Sequence, residues 1–319
     1  MATYRTIDAA RAESVELPPD PPTRRRPSPA LRGERTAAAW MISPALTLFV
    51  LFLIIPIGLA FGLAFTDTRM ISPRPGQFVG FANFAYLFTD PLFWASVRNT
   101  LYFAVVVVPV QAGFALVLAV LVNAKVRGTN FFRTVYFLPV VTSMVVVSLL
   151  WRLMYQKDGL INEFLTTITF GIYTPIDWLN DPVWAMPAIM VMSIWQGVAF
   201  HMVIWLSGLQ TIPAELYEAS EIDGASKWQQ FLFVTWPGLR QTRTLILITI
   251  TIAAFSLFTQ IAVMTQGGPL DSTTTVVFMA VRVGYQQLQT GYASAISLIF
   301  FVMVLAVSGI QRYLTREKN

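Results

Sequence analysis

The sequence has no cysteine and only one histidine, His201, among its 319 residues. The lack of cysteine excludes a disulfide framework, thiolate metal sites and a cysteine nucleophile, and the single histidine excludes sites built from several imidazoles. Charged residues are also scarce, at 12% of the chain, whereas soluble domains have about 25%. A soluble protein of this length needs far more charge to cover its surface, so the composition excludes a soluble enzyme.

The formal net charge is +5, which would suit a nucleic-acid partner only if the basic residues clustered on one soluble face. They are instead strung between long apolar runs, a pattern typical of membrane topology. We therefore expect the lipid bilayer, and no nucleic acid, as a partner.

Six windows of 18 to 27 residues contain no Asp, Glu, Lys or Arg. The shortest would reach roughly 27 Å as a helix, close to the hydrocarbon thickness of a bilayer. The windows are apolar on every face, which excludes the alternating pattern of a membrane β-barrel. They predict an all-α integral membrane protein whose six transmembrane helices cover about residues 40–65, 101–123, 134–151, 183–209, 244–266 and 293–311.

The basic residues also predict the orientation of these helices, because cytoplasmic segments carry the excess of Lys and Arg. With both termini inside, the cytoplasmic segments hold 16 basic residues and the outer segments hold 6. Residues 1–38 are mostly polar and rich in Pro, Arg and Ala, so we predict a disordered cytoplasmic tail there. The membrane domain would cover residues 39–315, and residues 316–319 would form a short C-terminal tail.

The cytoplasmic segment between the fourth and fifth spans is too long and too aromatic for a simple connection. Pro213 suits the first turn of a helix, and acidic residues in that turn complement its positive N-terminal end. Gly224 is a natural stop, after which a second short helix fits before Pro237. We predict a helix–glycine–helix hairpin at 213–237, whose exposed aromatic side chains form a docking surface for another protein.

This hairpin contains Glu218-Ala219-Ser220-x-x-Asp223-Gly224-Ala225, followed by Trp228, Phe231 and Pro237. The pattern resembles the EAA motif of binding-protein-dependent ABC importer permeases. The resemblance covers about residues 40–315 and includes further segments in the family's order, namely residues 99–103, 128–139, 151, 159–162, 265–269 and 273–274. Together they are similar to the carbohydrate-uptake branch, which includes the maltose and glycerol-3-phosphate permeases.

The resemblance implies a type I ABC importer permease fold in a prokaryotic cell membrane. The hairpin would be the coupling helix, seated in a cleft of a cytoplasmic ATPase. The residues assigned to this coupling are Glu218, Ala219, Ser220, Asp223, Gly224, Ala225, Trp228, Phe231 and Pro237. Alternatively, the carboxylates only cap and solvate the hairpin. The sequence departs from the family at Ser220, where Ala is usual, and at Trp236, where an aliphatic residue is commoner.

The partners that the resemblance implies are a second permease subunit, two ATPase subunits and an extracytoplasmic solute-binding protein. The chain contains no G-x-x-x-x-G-K-[ST] sequence and therefore no P-loop for nucleotide phosphates. We expect a non-catalytic permease subunit without a cofactor or metal of its own, and we expect ATP and Mg²⁺ to bind to the partner ATPase.

A polar solute that crosses the bilayer needs hydrogen-bonding groups and aromatic faces at mid-depth. The candidate pathway residues lie in the fourth and fifth spans: Gln196, Gly197, Phe200, His201, Ser256, Leu257 and Gln260. The family's pathway positions in the fifth span are apolar here, which points to the partner permease as the holder of more of the substrate; they are Ile250, Ala253, Ala254 and Leu257. His201 is alternatively a packed residue that hydrogen-bonds between helices.

In the outer loops, Gly267, Gly268 and Pro269 are the predicted contact with the binding protein. The nearby aromatic residues are alternatively an interfacial belt. The expected solute is a sugar, an oligosaccharide or a glycerol-phosphate-like molecule.

Two other functions are weighed against the importer. A secondary transporter would need ion-coupling carboxylates within the spans, and none exists there. An integral-membrane transferase would need acidic or histidine clusters at a membrane face, and the one dense cytoplasmic acidic group is Glu215, Glu218, Glu221 and Asp223.

Overall fold

The structure is a computed structural model that describes the backbone of residues 29–123 and 141–315 and the side chains of residues 37–123 and 141–313. The predictions for residues 1–28, the 128–139 segment, the beginning of the third span and the tail at 316–319 lie outside this part of the chain. Among the described residues all regular structure is helical, with one isolated β-bridge between Thr66 and Phe78.

Residues up to Ile57 and residues from Gly58 form two compact units. In the first unit, α1 runs from Pro29 to Phe49 and leads through a π-helical turn, Val50–Ile54, into the beginning of α2. Helix α2 covers Ile55–Leu63, so the boundary between the units falls within it. Helix α1 begins earlier than expected, since the disordered tail was predicted to extend to residue 38. Proline fits a first helical turn, and the alanines at 37–39 favour helix.

The second unit contains the other helices, whose bounds follow the chain. They are α3 Ala82–Thr89, α4 Pro91–Asn123, α5 Met144–Met154, α6 Leu160–Ile168, α7 Ala185–Gln210, α8 Ala214–Ile222, α9 Lys227–Gln230, α10 Trp236–Gly238, α11 Arg240–Phe255, α12 Thr259–Met264, α13 Val276–Val281 and α14 Thr290–Thr315. Two further π-helical turns, Phe231–Thr235 and Arg282–Gln286, follow α9 and α13.

Five helical segments of the described chain are long and apolar enough to cross a membrane: Ala37–Leu63, Pro91–Asn123, Ala185–Gln210, Arg240–Met264 and Thr290–Tyr313. They match the predicted first, second, fourth, fifth and sixth spans. Of the predicted third span, the structure describes α5, which has 11 residues. The number of six spans therefore stays a prediction.

The centre of the second unit is the packing of α4 against α7. Small residues on α4, including Ala112 and Ala115, let the two helices approach closely, as is usual between membrane helices. Trp205 of α7 is 2% exposed, and its indole Nε1 donates a hydrogen bond of 3.0 Å to the carbonyl of Ala112. The indole N–H thus finds the partner that a buried donor requires away from water.

The fifth span is broken, in contrast to the continuous helix predicted for residues 244–266. Helix α11 ends at Phe255 and α12 begins at Thr259. The three residues between them contain neither proline nor glycine, so the usual sequence signals for a helix break are missing. The carbonyl of Leu257 in this break accepts a hydrogen bond of 2.9 Å from the Thr275 hydroxyl, which is how the freed backbone group is satisfied.

The orientation of the membrane domain can be tested by labelling of single introduced cysteines, without background labelling, because the sequence itself has no cysteine. We expect Leu270→Cys, at a position 90% exposed in the outer loop, to react with an impermeant maleimide in spheroplasts. Ile222→Cys, at a position 87% exposed in the hairpin, should react only after the membrane is permeabilised. The reverse labelling pattern would contradict cytoplasmic termini.

Candidate functional site

A cavity of about 240 Å³ lies between α4, α5, α7 and the two halves of the broken fifth span. Gln196, near the middle of α7, is one of its lining residues. The full lining is Phe103, Val107, Gln111, Met144, Ser193, Gln196, Gly197, Phe200, His201, Ile250, Ala253, Ala254 and Gln260.

The structure brings most of the predicted pathway residues together at this cavity: Gln196, Gly197, Phe200, His201 and Gln260. Ser256 and Leu257 lie in the helix break and do not line it. The apolar fifth-span positions Ile250, Ala253 and Ala254 form part of its wall.

Two polar lining residues, Gln111 and Ser193, were not predicted. Gln111 is 5% exposed, and its amide Nε2 lies 2.9 Å from Nδ1 of His201. The same ring nitrogen lies 2.8 Å from the carbonyl oxygen of Gly197. In the neutral ring, Nδ1 either donates to Gly197 or accepts from Gln111, so the two contacts alternate with the tautomer. His201 thus ties α4 to α7.

Three other polar groups at the cavity have no partner. The Ser193 hydroxyl is buried and makes no hydrogen bond. The side-chain amides of Gln196 and Gln260 also make none within the described part of the chain. Gln196 and Gln260 are half-buried in the cavity wall, so their unpaired amides can bind a polar molecule there, whereas the Ser193 oxygen is enclosed by the protein.

The outer edge of the site is held by four residues that we call the outer latch: Asn99, Thr100, Thr274 and Thr275. The Asn99 amide donates bonds of 3.0 Å to the carbonyls of Asp271 and Thr274. The Thr100 hydroxyl accepts a bond of 3.1 Å from the Val276 amide. The other two residues of the latch, Thr274 and Thr275, are fully buried. The outer latch therefore fixes the outer loop to α4, and through Thr275 to the helix break.

The Gly267-Gly268-Pro269 turn sits above this latch. Gly267 is buried with φ +88°, and a Cβ at this position would lie 2.9 Å from Cε1 of Phe278. Glycine is therefore required both for its backbone conformation and for space. Gly268 and Pro269 are half-buried, and the exposed tip of the turn is Leu270.

The hairpin between the fourth and fifth spans has the helix–glycine–helix order that was predicted. Helix α8 covers Ala214–Ile222, and Gly224 follows with φ +77°. Helix α9 then starts with a capping box, in which the Ser226 hydroxyl and the Gln229 side chain each bind the other residue's backbone amide. Both halves of the hairpin therefore have defined helix ends.

Side chains hold the two halves of the hairpin together. The Ser220 hydroxyl donates to the Tyr217 carbonyl over 2.7 Å and accepts from the Gln230 amide over 3.1 Å. Tyr217 also contacts Thr235, with 3.0 Å between their hydroxyl oxygens. The serine at the position where the family usually has alanine thus bridges the hairpin, a role that the sequence alone did not indicate.

The outer face of the hairpin is aromatic. Trp228 is 67% exposed and stacks on Phe231 at 5.6 Å between ring centroids, and Phe233 is 75% exposed. Trp236, the other departure from the family, lies under the Arg243 guanidinium at 4.5 Å from its ring centroid. The family residue Pro237 is exposed beside it.

The carboxylates of the hairpin are at its surface. Glu218 and Asp223 are exposed, as are Ala219 and Gly224, whereas Ala225 is half-buried. The pKa of Glu221 is lowered, first by its hydrogen bond from Lys227 and then by that from Gln230. Glu218 and Asp223 make no ion pair within the described residues, so their charges are available at this surface.

Membrane-length helices around a polar cavity, with an aromatic hairpin at the connection between two of them, define a multi-pass membrane transport protein. The chain belongs to the family of binding-protein-dependent transport system inner membrane components, whose family model matches residues 111–319. It is therefore an inner-membrane permease of an ABC importer.

Relatives and a solved structure agree with this assignment. The chain is 35% identical to the lactose transport system permease protein LacF of Rhizobium radiobacter, over 88% of this chain and 94% of that protein. It is 32% identical to the diacetylchitobiose uptake system permease protein NgcF of Streptomyces coelicolor, over 90% and 87% of the two chains. A crystal structure of a bacterial ABC transporter that imports the acidic polysaccharide alginate has the same fold, with TM-score 0.75, 22% identity and coverage of 90% and 98%.

The role of Thr275 in the outer latch generates a prediction for stability. Thr275→Val keeps the shape of the side chain but leaves the buried Leu257 carbonyl without its partner and removes the hydroxyl that caps α13 by accepting from the Phe278 amide. We expect a loss of about 1–3 kcal/mol in unfolding free energy, the usual cost of an unsatisfied buried acceptor.

Thermal unfolding of the purified protein in detergent measures this loss. Thr249→Val is the matched control, because the Thr249 hydroxyl bonds only to carbonyls of its own helix. Equal effects of the two substitutions would show that Thr275 does not hold the break.

Proposed function

We propose that this permease forms half of the pathway by which a carbohydrate enters the cell. The observation that carries the proposal is the cavity beside the helix break, where the half-buried amides of Gln196 and Gln260 have no hydrogen-bond partner among the described residues. Apolar side chains and the Phe200 ring complete the wall. Sugars present hydroxyl groups and apolar C–H faces together, so they fit such a lining. The names of the relatives, which transport lactose and diacetylchitobiose, support the same class of solute.

The proposed assembly contains a second permease subunit, two ATPase subunits and an extracytoplasmic solute-binding protein. The family description names dependence on a binding protein, which supports the last of these. Because the sequence has no P-loop, ATP and Mg²⁺ would bind to the ATPase subunits, and this chain would itself catalyse no reaction.

The hairpin 213–237 is the proposed coupling helix. Its stacked Trp228 and Phe231, with the exposed Phe233, offer an apolar patch, and Glu218 and Asp223 add charge at its edge. Such a patch on a compact protrusion suits a cleft in another protein. Closure of the two ATPases on ATP would move the hairpin and turn the permease from inward- to outward-facing.

At the outer surface we place the contact with the binding protein at the exposed Leu270. Gly267 shapes this turn from the inside, and the half-buried Gly268 and Pro269 support it. In this proposal the Gly267-Gly268-Pro269 turn stays part of the contact with the binding protein, and Gly267 has a structural role within the turn.

The transferase alternative receives no support from the hairpin. Among the described residues, no three acidic, histidine or cysteine side chains converge to hold a metal ion. A secondary transporter is not supported either, because the predicted spans of this chain contain no carboxylate that could couple transport to an ion.

Substitution of Gly224 tests the coupling hairpin. No atom of this chain lies within 4 Å of a Cβ built at this position, so any effect on the hairpin itself must come from the positive φ of Gly224. The left-handed backbone conformation costs most L-residues about 1–2 kcal/mol, and it costs Asn less. We expect Gly224→Val to reduce the amount of co-purifying ATPase about 5- to 30-fold, and Gly224→Asn to retain most of it.

The measurement is a tagged pull-down from detergent-solubilised membranes, with the partners identified by mass spectrometry. The second permease should remain bound in both variants because Gly224 lies outside the spans. If the natural chain recovers no ATPase at all, the importer assembly proposed here is wrong.

A further inference from the structure

A further cavity, of about 200 Å³, lies where the first span ends and the sixth span begins. It shares no lining residue with the cavity beside the helix break. Its wall is formed by the loop after the first span, by α3 and by the start of α14, and we call it the span-end cavity. The lining residues are Asp67, Thr68, Arg69, Asn83, Gln289 and Tyr292.

Backbone hydrogen bonds hold the loop of this cavity against the start of α14. The Met70 amide donates to the Leu288 carbonyl over 2.9 Å, and the Gly291 amide donates to the Thr68 carbonyl over 2.8 Å. A Cβ at position 291 would collide with the Thr66 carbonyl, so glycine is required for this close approach. The loop therefore presents its side chains to the cavity from a fixed backbone.

Several polar groups of the span-end cavity have no partner in the described ranges. The Arg69 guanidinium makes no hydrogen bond or ion pair there, and the Gln289 amide makes no hydrogen bond. The Asn83 amide nitrogen donates to the carbonyls of Ala64 and Thr66, over 2.9 and 2.8 Å. Its oxygen is left without a donor. The cavity thus offers one cation and amide oxygens to a ligand.

Asp67 adds a negative charge to the same cavity. Its Oδ1 accepts a hydrogen bond of 2.6 Å from the Gln77 amide, which fixes the carboxylate. Within the part of the chain that the structure describes, Asp67 forms no ion pair, with Arg69 or with any other residue. Two opposite charges therefore face one space without neutralising each other. A ligand that carries both signs of charge complements them better than a purely anionic one.

The surroundings of the cavity indicate a membrane surface. Four large apolar side chains of the same loop are exposed, namely Met70, Ile71, Phe78 and Phe81. Such a set is unfavourable in contact with water alone, whereas apolar and aromatic side chains are common at the headgroup level of a bilayer. The cavity lies at this level, because two candidate membrane spans end beside it.

From these observations we infer that the span-end cavity binds the headgroup of a zwitterionic phospholipid of the phosphatidylethanolamine class. Arg69 would bind the phosphate, for which a guanidinium is well suited. The primary ammonium has three N–H donors, which would bind to the Asp67 carboxylate and to the free amide oxygens of Asn83 and Gln289. The exposed apolar side chains of the loop would contact the acyl chains. The site is separate from the proposed solute pathway and does not depend on it.

The test measures which phospholipids the full-length protein retains after purification with the subunits that accompany it. The detergent-solubilised protein is incubated with an equimolar mixture of phosphatidylethanolamine, phosphatidylcholine and phosphatidylglycerol with identical acyl chains. It is then repurified, and the retained lipid is quantified by mass spectrometry. Phosphatidylcholine has both charges but no N–H donor, and phosphatidylglycerol has no cation. We expect phosphatidylethanolamine to be retained about 3- to 5-fold over each of the others.

Two substitutions separate the two charges. Arg69→Gln should lower the retention of phosphatidylethanolamine about 3- to 5-fold, because the phosphate loses its partner. Asp67→Asn keeps the oxygen that accepts from Gln77 but removes the charge, so the preference should shift towards phosphatidylglycerol. Arg74→Gln is the matched control, since Arg74 is an exposed basic residue of the same loop that does not line the cavity. Its lipid retention should equal that of the natural chain.

The unfolding temperature in lipid-free detergent shows whether each variant is folded. That of Arg69→Gln should be unchanged, because the Arg69 side chain makes no bond among the described residues. Equal retention of the three lipids would overturn the site, as would equal losses in Arg69→Gln and Arg74→Gln. An unchanged preference in folded Asp67→Asn would overturn the recognition of the ammonium. Displacement of the lipid by an equal concentration of soluble phosphoethanolamine would show that the cavity serves a free solute instead.

Discussion

The need to pair every backbone polar group away from water governs this structure. A membrane helix normally meets this need by its own hydrogen bonds, but the fifth span is not helical between Phe255 and Thr259, so these bonds are interrupted there. The hydroxyl of Thr275 supplies the missing partner to the Leu257 carbonyl. The break shapes one wall of the cavity, so the site depends on a hydrogen bond from a loop that lies outside it in the sequence.

Five of the spans and the hairpin could be predicted from the sequence because long uncharged runs and a glycine between two helical segments are compatible with few other structures. The helix break could not, because no local proline or glycine marks it and the group that satisfies its Leu257 carbonyl is a threonine distant in the sequence. Ser193 was missed for a related reason. A serine in a helix ordinarily bonds to its own backbone, and only the three-dimensional structure shows that this hydroxyl does not.

Polar side chains in the described chain fall into two groups with different tasks. Those of the outer latch, and Ser220 with Gln230 in the hairpin, are paired and hold segments together. Those of the cavity divide further, since Gln111 and His201 pair across two helices whereas Ser193, Gln196 and Gln260 remain free. Pairing therefore identifies the polar groups that hold helices and loops together.

The break in the fifth span also divides that helix mechanically. Its inner part, α11, continues from the hairpin through the fully buried Leu239, whereas the Leu257 carbonyl at the break is tied to the outer loop. The three non-helical residues between the two halves interrupt the helix beside the cavity wall. The segment that connects the hairpin to the cavity therefore ends at a carbonyl that is held by a loop distant in the sequence.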